Sequence, residues 1–233
     1  MVGISRGLVC GAVALAAVST AGHAQRLVPV HRHKAGVYGT LLRPTGQFQR
    51  FVGWGGGLGV YFVPGFSWQG GIGLRMDGSL LVYGHESYDV WLGPRIPDGY
   101  VRVSTDNLIA TFGVGPQLTF GDGPIRPYTF GTAGFSYFAT VSSTDENDWD
   151  YDSHTNFDDW SLALAAGGGL LIQLNRGHKP IWLDVSAQWT HNGVTDYLRE
   201  GSIVETIDGN LMLFPIRSEA NHWTYRLGVA FGF

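Results

Sequence analysis

The sequence lacks disulfide-forming cysteines, a large charge and long apolar runs, and each absence excludes a class of protein. Its one cysteine, Cys10, lies in an apolar N-terminal stretch and lacks the small preceding residue typical of lipidation, so we expect neither disulfides nor a lipid anchor. Charged residues make up only 15% and the formal net charge is -4, which disfavours a nucleic-acid partner. Beyond residue 24 no apolar run reaches the roughly 18 residues of a membrane helix.

The N-terminal residues have the three parts of a secretory signal. Arg6 supplies a positive charge, residues 7–18 are apolar, and Gly22-His23-Ala24 places small residues where a signal peptidase cuts. We therefore expect residues 1–24 to be a signal peptide, residues 25–35 an N-terminal tail, and residues 36–233 the folded domain.

Glycine and aromatic residues are abundant, and they favour strands and tight turns. There are 35 glycines, and 13% of the residues are aromatic. In residues 222–233, Trp223, Tyr225, Leu227, Val229, Phe231 and Phe233 alternate with small or polar residues. Eight segments alternate in this way, some loosely: residues 37–42, 52–62, 68–82, 108–120, 126–140, 160–174, 181–191 and 222–233. This period predicts eight β-strands.

The contents of the two faces indicate which solvent each face meets. One face of the predicted strands is continuously apolar, and the other carries Gly, Ala, Ser and a few charges. A soluble barrel would have a polar outer face, so this inversion favours lipid outside and a crowded lumen inside. A soluble periplasmic barrel is the alternative.

The connections between the segments alternate in length. Those at residues 64–67, 121–124 and 175–179 are short, and those at 43–50, 84–106, 141–159 and 192–221 are longer. We therefore predict an all-β fold, a transmembrane antiparallel up-and-down β-barrel of eight strands with four longer outer loops and three short periplasmic turns.

Large aromatic residues fall at the ends of the predicted strands. Phe62, Trp68, Phe120, Phe231 and Phe233 lie at the turn-side ends, and Trp160, Trp189 and Trp223 lie at the loop-side ends. Membrane barrels carry aromatic girdles at both interfaces, so these residues are the expected girdles.

Three features resemble the small outer-membrane β-barrel family of Gram-negative bacteria, the OmpA/OmpX-like class. They are the signal peptide, the Arg126-Pro127-Tyr128 opening of a Gly/aromatic strand, and the final Tyr225-Arg226-Leu227-Gly228-Val229-Ala230-Phe231-Gly232-Phe233. The resemblance implies residence in the cell outer membrane, contact with its lipid and lipopolysaccharide, and recognition of Phe233 by the outer-membrane assembly machinery.

Charged residues on the small face are the candidate site. Alternation points Arg75, Asp77, Asp184 and Arg226 into the lumen, where opposite charges should pair. A salt-bridge network that fills the narrow barrel is the main interpretation, and a polar conduction or proton path is the alternative.

The outer connections carry two further features. Residues 145–159 hold seven acids and no base, which favours a solvated loop, with a divalent-cation site as the alternative because the spacing does not fit an EF-hand. Asp208-Gly209, between two apolar stretches, predicts a hairpin with a two-residue turn above the membrane.

No catalytic, cofactor or metal site is expected. His191 is followed by Asn192 and Gly193, so the Ser of a lipid A deacylase-like motif is missing, and His85-Glu86 lacks the second His of a zinc helix. The sequence therefore favours a non-enzymatic barrel with a structural or surface-loop binding role, whose extracellular ligand it does not identify. A narrow porin-like channel or hydrophobic-solute conduit is the alternative, and a lipid A-modifying enzyme is the least favoured.

Overall fold

A computed structural model describes residues 33–64, 71–91, 100–145, 153–175, 179–199, 202–205 and 211–233. The predicted signal peptide, Cys10, most of the predicted tail and Trp68 lie outside these residues. The statements below concern the described residues.

Twelve strands and one 3-10 helix make up the described chain. The strands are β1 Lys34–Pro44, β2 Gly55–Val63, β3 Ile72–Trp91, β4 Tyr100–Thr119, β5 Ile125–Asp145, β6 Ser153–Gln173, β7 Ile181–Asn192, β8 Val194–Tyr197, β9 Ile203–Glu205, β10 Leu211–Leu213, β11 Ile216–Glu219 and β12 His222–Gly232. The 3-10 helix, Phe48–Arg50, follows β1.

Eight of the strands close into an antiparallel barrel in the order β1-β12-β7-β6-β5-β4-β3-β2. The first and last strands pair from Lys34 opposite Gly232 to Pro44 opposite His222. Closure leaves no open strand edge around the barrel wall. Each backbone N–H and C=O of the wall therefore has a hydrogen-bond partner, which an apolar medium cannot supply. The predicted eight-stranded antiparallel barrel is confirmed.

The central strands are longer than the sequence predicted. β3 runs on to Trp91 and β4 starts at Tyr100, so both strands reach into the predicted loop at residues 84–106. In the same way β5 runs on to Asp145 and β6 starts at Ser153, within the predicted loop at 141–159. The sequence prediction was wrong here because it ended each strand where the apolar face ended. Strand pairing needs only backbone hydrogen bonds and can continue without that face.

The barrel wall has an apolar outer face and a small or polar inner face, as the alternation predicted. On the outside, Leu58, Leu162 and Leu227 are 72%, 66% and 60% exposed. On the inside, Arg226 and Ala230 alternate with the exposed residues of β12 and are buried. From Trp223 to Phe233 the chain climbs ten residues, or about 25 Å at the usual strand rise and tilt, which is the height of a lipid-facing band.

Two clusters of buried side chains fill the barrel. The turn-side cluster contains Tyr38, Tyr61, Val63, Tyr128, Phe130, Leu171, Trp182 and Ala230. The loop-side cluster contains Leu42, Phe48, Val52, Leu81, Tyr83, Ile109, Phe138, Tyr197 and Ala220. Both clusters come from inward-facing strand residues, and the second adds residues from the connections.

The long connection between β7 and β12 forms two short antiparallel pairs that belong to sheets separate from the barrel wall. β8 pairs with β11 and β9 pairs with β10. β9 pairs with β10 as the predicted hairpin requires, with Glu205 opposite Leu211. A two-residue turn at Asp208-Gly209 would put Glu205 opposite Met212, so the predicted turn length is wrong. Residues 206–210 lie outside the described residues. No helix of the described chain is long and apolar enough to cross a membrane.

Candidate functional site in the barrel lumen

Asp77 is the centre of a buried charge network on the turn side of the lumen. Its carboxylate accepts two hydrogen bonds from Arg75, at 2.9 Å from Nε and 2.7 Å from Nη2. Arg226, on the far side of β1, donates to the same carboxylate at 3.1 and 3.2 Å. One aspartate therefore holds two guanidinium groups that would otherwise be unpaired charges in a closed space.

Aromatic rings complete the surroundings of the two arginines. The guanidinium carbon of Arg75 lies 3.8 Å from the Tyr61 ring centroid and 4.4 Å from that of Phe130. That of Arg226 lies 4.5 Å from the Tyr38 ring centroid. Cations over ring faces gain most where water is excluded, and Arg75 is only 1% exposed.

Asp184 is satisfied differently from Asp77. Its two carboxylate oxygens accept hydrogen bonds of 2.7 Å from the hydroxyls of Tyr61 and Tyr128. Among the described residues no arginine or lysine lies within ion-pair distance of Asp184. The prediction that the lumen aspartates pair with arginines therefore describes Asp77 but not Asp184, because tyrosine hydroxyls on neighbouring walls reach the second carboxylate.

Glycines opposite two of these tyrosines position the rings. Tyr61 pairs with Gly36, and Tyr38 pairs with Gly59, across the β1–β2 ladder. A Cβ on Gly59 would lie 2.3 Å from the Tyr38 ring, and one on Gly36 would lie 2.4 Å from the Tyr61 ring. Each ring therefore lies flat over its glycine, which directs the hydroxyls of Tyr38 and Tyr61 towards Asp77 and Asp184.

The loop side of the lumen is apolar, and part of its filling comes from the connections. Phe48 and Tyr197 are 0% and 1% exposed, and their rings meet edge to face at 5.2 Å. Both pack against Tyr83 of β3. The hydroxyl of Tyr83 donates to the Leu198 carbonyl at 3.0 Å. The first and last connections thus insert into this end of the barrel.

Asp159 anchors the last connection to the wall. One carboxylate oxygen accepts hydrogen bonds from the Thr195 hydroxyl at 2.9 Å and from the Asp196 amide at 2.8 Å, and the other accepts from the Trp160 amide. Burial opposes ionisation of this group, but the three hydrogen bonds outweigh it and lower the pKa of Asp159 from its usual 3.8. β8 is therefore held against β6 by an ionised carboxylate.

The structure brings the four predicted lumen residues into one half of the barrel and places the predicted girdle residues on its outer surface. Phe120, Trp160, Trp189, Trp223, Phe231 and Phe233 are exposed there, and Phe62 is half-buried beside Phe233. Residues 146–152 of the predicted acidic loop lie outside the described residues. Its remaining residues, 145 and 153–159, belong to strands β5 and β6, so the loop prediction was wrong for them.

Sequence reasoning missed the tyrosines, and the alternation could have found them. Tyr38, Tyr61 and Tyr128 occupy the inward positions of their strands, although each is as large as the lipid-facing residues. A large aromatic residue at an inward position, where the other residues are small, indicates a side chain that contacts a charged group in the lumen. The described residues contain no group of three or more His, Cys, Asp or Glu that could hold a metal ion.

The strand count, closure and enclosed charges give this chain the architecture of the small outer-membrane β-barrels. No protein-family model matches it, and no curated protein matches it at a significant level.

Solved structures with some similarity are outer-membrane proteins. Ail, the attachment invasion locus protein of Yersinia pestis, in complex with the heparin analogue sucrose octasulfate, is 11% identical over 87% of this chain and 99% of its own, with a TM-score of 0.45. A major outer membrane protein from Thermus thermophilus is 13% identical over 86% and 99%, with a TM-score of 0.46. Outer Membrane Protein W of E. coli is 18% identical over 87% and 98%, with a TM-score of 0.35. The barrel fold of this chain follows from its own strand pairing.

Proposed function

We propose that this protein is an integral outer-membrane β-barrel with a closed lumen, whose role is structural or lies in binding another molecule at its outer end. The observation that carries the proposal is the inverted wall. Leucines that are 60–72% exposed alternate with fully enclosed charges on the same wall, and Leu58, Leu162 and Leu227 are the clearest cases. Such an apolar belt is stable in hydrocarbon and unfavourable in water.

The proposal includes export and assembly. Residues 1–24 act as a cleaved signal peptide, and Phe233 is read by the outer-membrane assembly machinery. The lipid-facing belt contacts the outer-membrane lipid and lipopolysaccharide. The tryptophans Trp160, Trp189 and Trp223 at its loop-side end fix its depth, because the amphipathic indole ring favours the interface.

The filled lumen supports a structural role over a pore. The charge network closes the turn side, and Phe48 and Tyr197 fill the loop side. Eight strands enclose a space about filled by side chains, which leaves little room for a water column.

The lengthened strands support binding at the outer end. β3 residues beyond Tyr83 pair with β4, while the pairing of β2 with β3 ends at Val82. On the other flank β6 pairs with β7 only from Ala163 onward. Four strands, β3 to β6, therefore project past the rest of the wall as a sheet and offer a surface for another molecule.

Membrane fractionation tests the location. The protein should pellet with the outer membrane and leave it only with detergent, and its electrophoretic mobility should differ between heated and unheated samples. Recovery in the soluble periplasmic fraction would overturn the proposal. Cleavage is tested by the mass of the mature protein, which should begin at Gln25.

Conductance tests the lumen. Purified protein in planar bilayers should give no steady current. A steady single-channel current would instead support the narrow porin-like channel. The lipid A-modifying alternative requires a change in lipid A mass on expression, and we expect none.

The outer surface is tested by shortening the sheet. Replacing residues 87–104 with a two-residue turn, which keeps Glu86 opposite Thr105, should leave heat modifiability intact, because these residues lie beyond the apolar belt. Failure of this variant to fold would show that the projecting sheet is part of the barrel core rather than a separable surface.

A further inference from the structure

The inward-facing charges of the barrel strands do not balance at the turn-side end. Arg75, Arg226, Asp77 and Asp184 cancel one another. Two more cations lie at the turn-side ends of strands β1 and β5, Lys34 and Arg126, each with the inward parity of its strand. These inward-facing side chains therefore carry more positive than negative charge at this mouth.

The barrel order places the two cations on opposite walls. β1 and β5 are four strands apart in either direction around the barrel, and β7 lies midway between them on one side. Trp182 of β7 packs its ring against Arg126, whose guanidinium carbon lies 4.5 Å from the ring centroid. Lys34, Arg126 and Trp182 thus surround one mouth.

Two hydrogen-bond donors at this mouth have no acceptor among the described residues. Trp182 is 2% exposed, and its indole Nε1 is buried without a partner in that part of the chain. The ammonium of Lys34, which is half-buried, makes no hydrogen bond or ion pair within the ranges that the structure describes. A buried N–H without an acceptor is unfavourable and uncommon, so a buried donor left without one indicates a position for a ligand's acceptor atom.

The cation on the opposite wall is held in place by the adjoining turn. Arg126 donates from Nε to the Gly123 carbonyl at 3.1 Å and from Nη2 to the Asp122 carbonyl at 2.9 Å. These bonds fix its guanidinium at the mouth. Asp184, the nearest inward carboxylate, already accepts from two tyrosines.

We propose that the turn-side mouth binds a phosphate group between Lys34 and Arg126, with the Trp182 indole N–H as a third donor. Two cations and a neutral donor from separate walls suit a tetrahedral oxyanion that carries up to two charges and several acceptor oxygens. The group belongs either to a free phosphate or phosphomonoester, or to a phospholipid headgroup. The site is independent of whatever the outer end binds.

The binding experiment uses the mature barrel folded in amine-oxide micelles, which contain no phosphate. Inorganic phosphate is titrated at constant ionic strength while the indole ¹H–¹⁵N signal of Trp182 is followed, and the signal is assigned by its loss in Trp182→Phe. We expect a saturable shift of this signal. No shift, or a shift linear in phosphate, would overturn the proposal.

The matched variants separate a built site from diffuse attraction. Lys34→Met should weaken phosphate binding at least tenfold, and Lys179→Met should change it less than twofold, because Lys179 is exposed at the same end. Equal weakening by both variants would overturn the proposal. Heat modifiability checks folding, and Lys34→Gln, with the same expected loss, replaces a Lys34→Met protein that does not fold.

The source of the phosphate is tested with short-chain lipids. Dihexanoyl phosphatidic acid and phosphate-free dihexanoylglycerol are each titrated in the same micelles. Binding of the acid at least tenfold tighter than inorganic phosphate supports a lipid headgroup, and similar affinities support a free anion. An equal shift with dihexanoylglycerol would overturn the phosphate site.

Discussion

The two halves of the lumen are filled by different means. On the turn side, strand residues provide both the charges and their partners, as Asp77 does for Arg75 and Arg226. On the loop side, Phe48 and Tyr197 enter from the connections and pack against the wall. One half is specified by strand register, and the other depends on chain segments far apart in sequence.

This difference predicts different responses to mutation. A buried ionic network fails when one member is removed, because the remaining charges stay buried without a partner. An apolar cluster loses only the packing of the atoms removed and the cavity left behind. The following variants test this contrast, from the largest expected effect to the smallest.

Removing the shared carboxylate should have the largest effect. Asp77→Ala leaves Arg75 and Arg226 buried with no carboxylate between them, so we expect a loss of about 3–5 kcal/mol in the free energy of unfolding. Urea unfolding in lipid vesicles measures it.

Asp106→Asn is the matched control for this variant. Asp106 pairs with His85 at 2.7 Å, but both side chains are largely exposed, so the loss should stay under about 1 kcal/mol. Similar losses for the two variants would show that burial of the Asp77 network is energetically unimportant.

Truncating the loop-side cluster should have the next largest effect. Phe48→Ala removes a fully buried ring from the first connection, and we expect a loss of about 3 kcal/mol, with faster proteolysis of residues 193–221 because Tyr197 loses its contact. Gln49→Ala, at the neighbouring exposed position, is the control and should leave both measurements nearly unchanged. Wild-type proteolysis of the Phe48→Ala protein would contradict the coupling of the two connections.

Filling the space over a glycine tests ring placement on the turn side. Gly59→Ala puts a methyl group 2.3 Å from the Tyr38 ring, so the ring must move away from Asp77, and we expect a loss of about 2 kcal/mol in urea unfolding. At Gly39 the nearest atom to an added Cβ is 4.0 Å away, so Gly39→Ala should be close to neutral. Equal losses at both positions would contradict the proposal that the missing side chain at Gly59 makes room for the Tyr38 ring.

Acid should release the anchor of the last connection, with the smallest effect. The pKa of Asp159 is lowered from 3.8 in the folded protein. The stabilisation that its ionised carboxylate gives the folded state is therefore fully present above pH 3.8, and it is lost as the pH falls through the lowered pKa. The Asp196 amide proton should therefore shift with a midpoint below pH 3.8, and Asp159→Asn should abolish that titration. A midpoint above 3.8 would contradict the anchor.

The sequence predicts which residues of the barrel wall face outward and which face inward, because apolar and small or polar residues alternate along each strand. Leu162 and Leu227 lie outside and Arg75 and Arg226 inside, as their parity requires. The strand ends were less predictable. Beyond the belt the apolar face stops, but pairing continues through Trp91 and Tyr100.

The partners inside the lumen were less predictable than its charges. Parity shows that Asp184 faces inward, but its two tyrosines lie on β2 and β5, and only the closed barrel brings those walls together. The insertion of Phe48 and Tyr197 has no periodic signal at all, since it depends on how two connections fold back.

The pairing of β1 with β12 has a consequence for how the chain reaches its folded state. Lys34 and Gly232 are separated by almost the whole folded chain. The pairing of β1 with β12, which closes the barrel, therefore has a large sequence separation, and such contacts form slowly. Until then two strand margins are unpaired, and hydrocarbon cannot solvate their amides and carbonyls. Insertion and closure must therefore occur together, and intermediates that are inserted but still open should not accumulate.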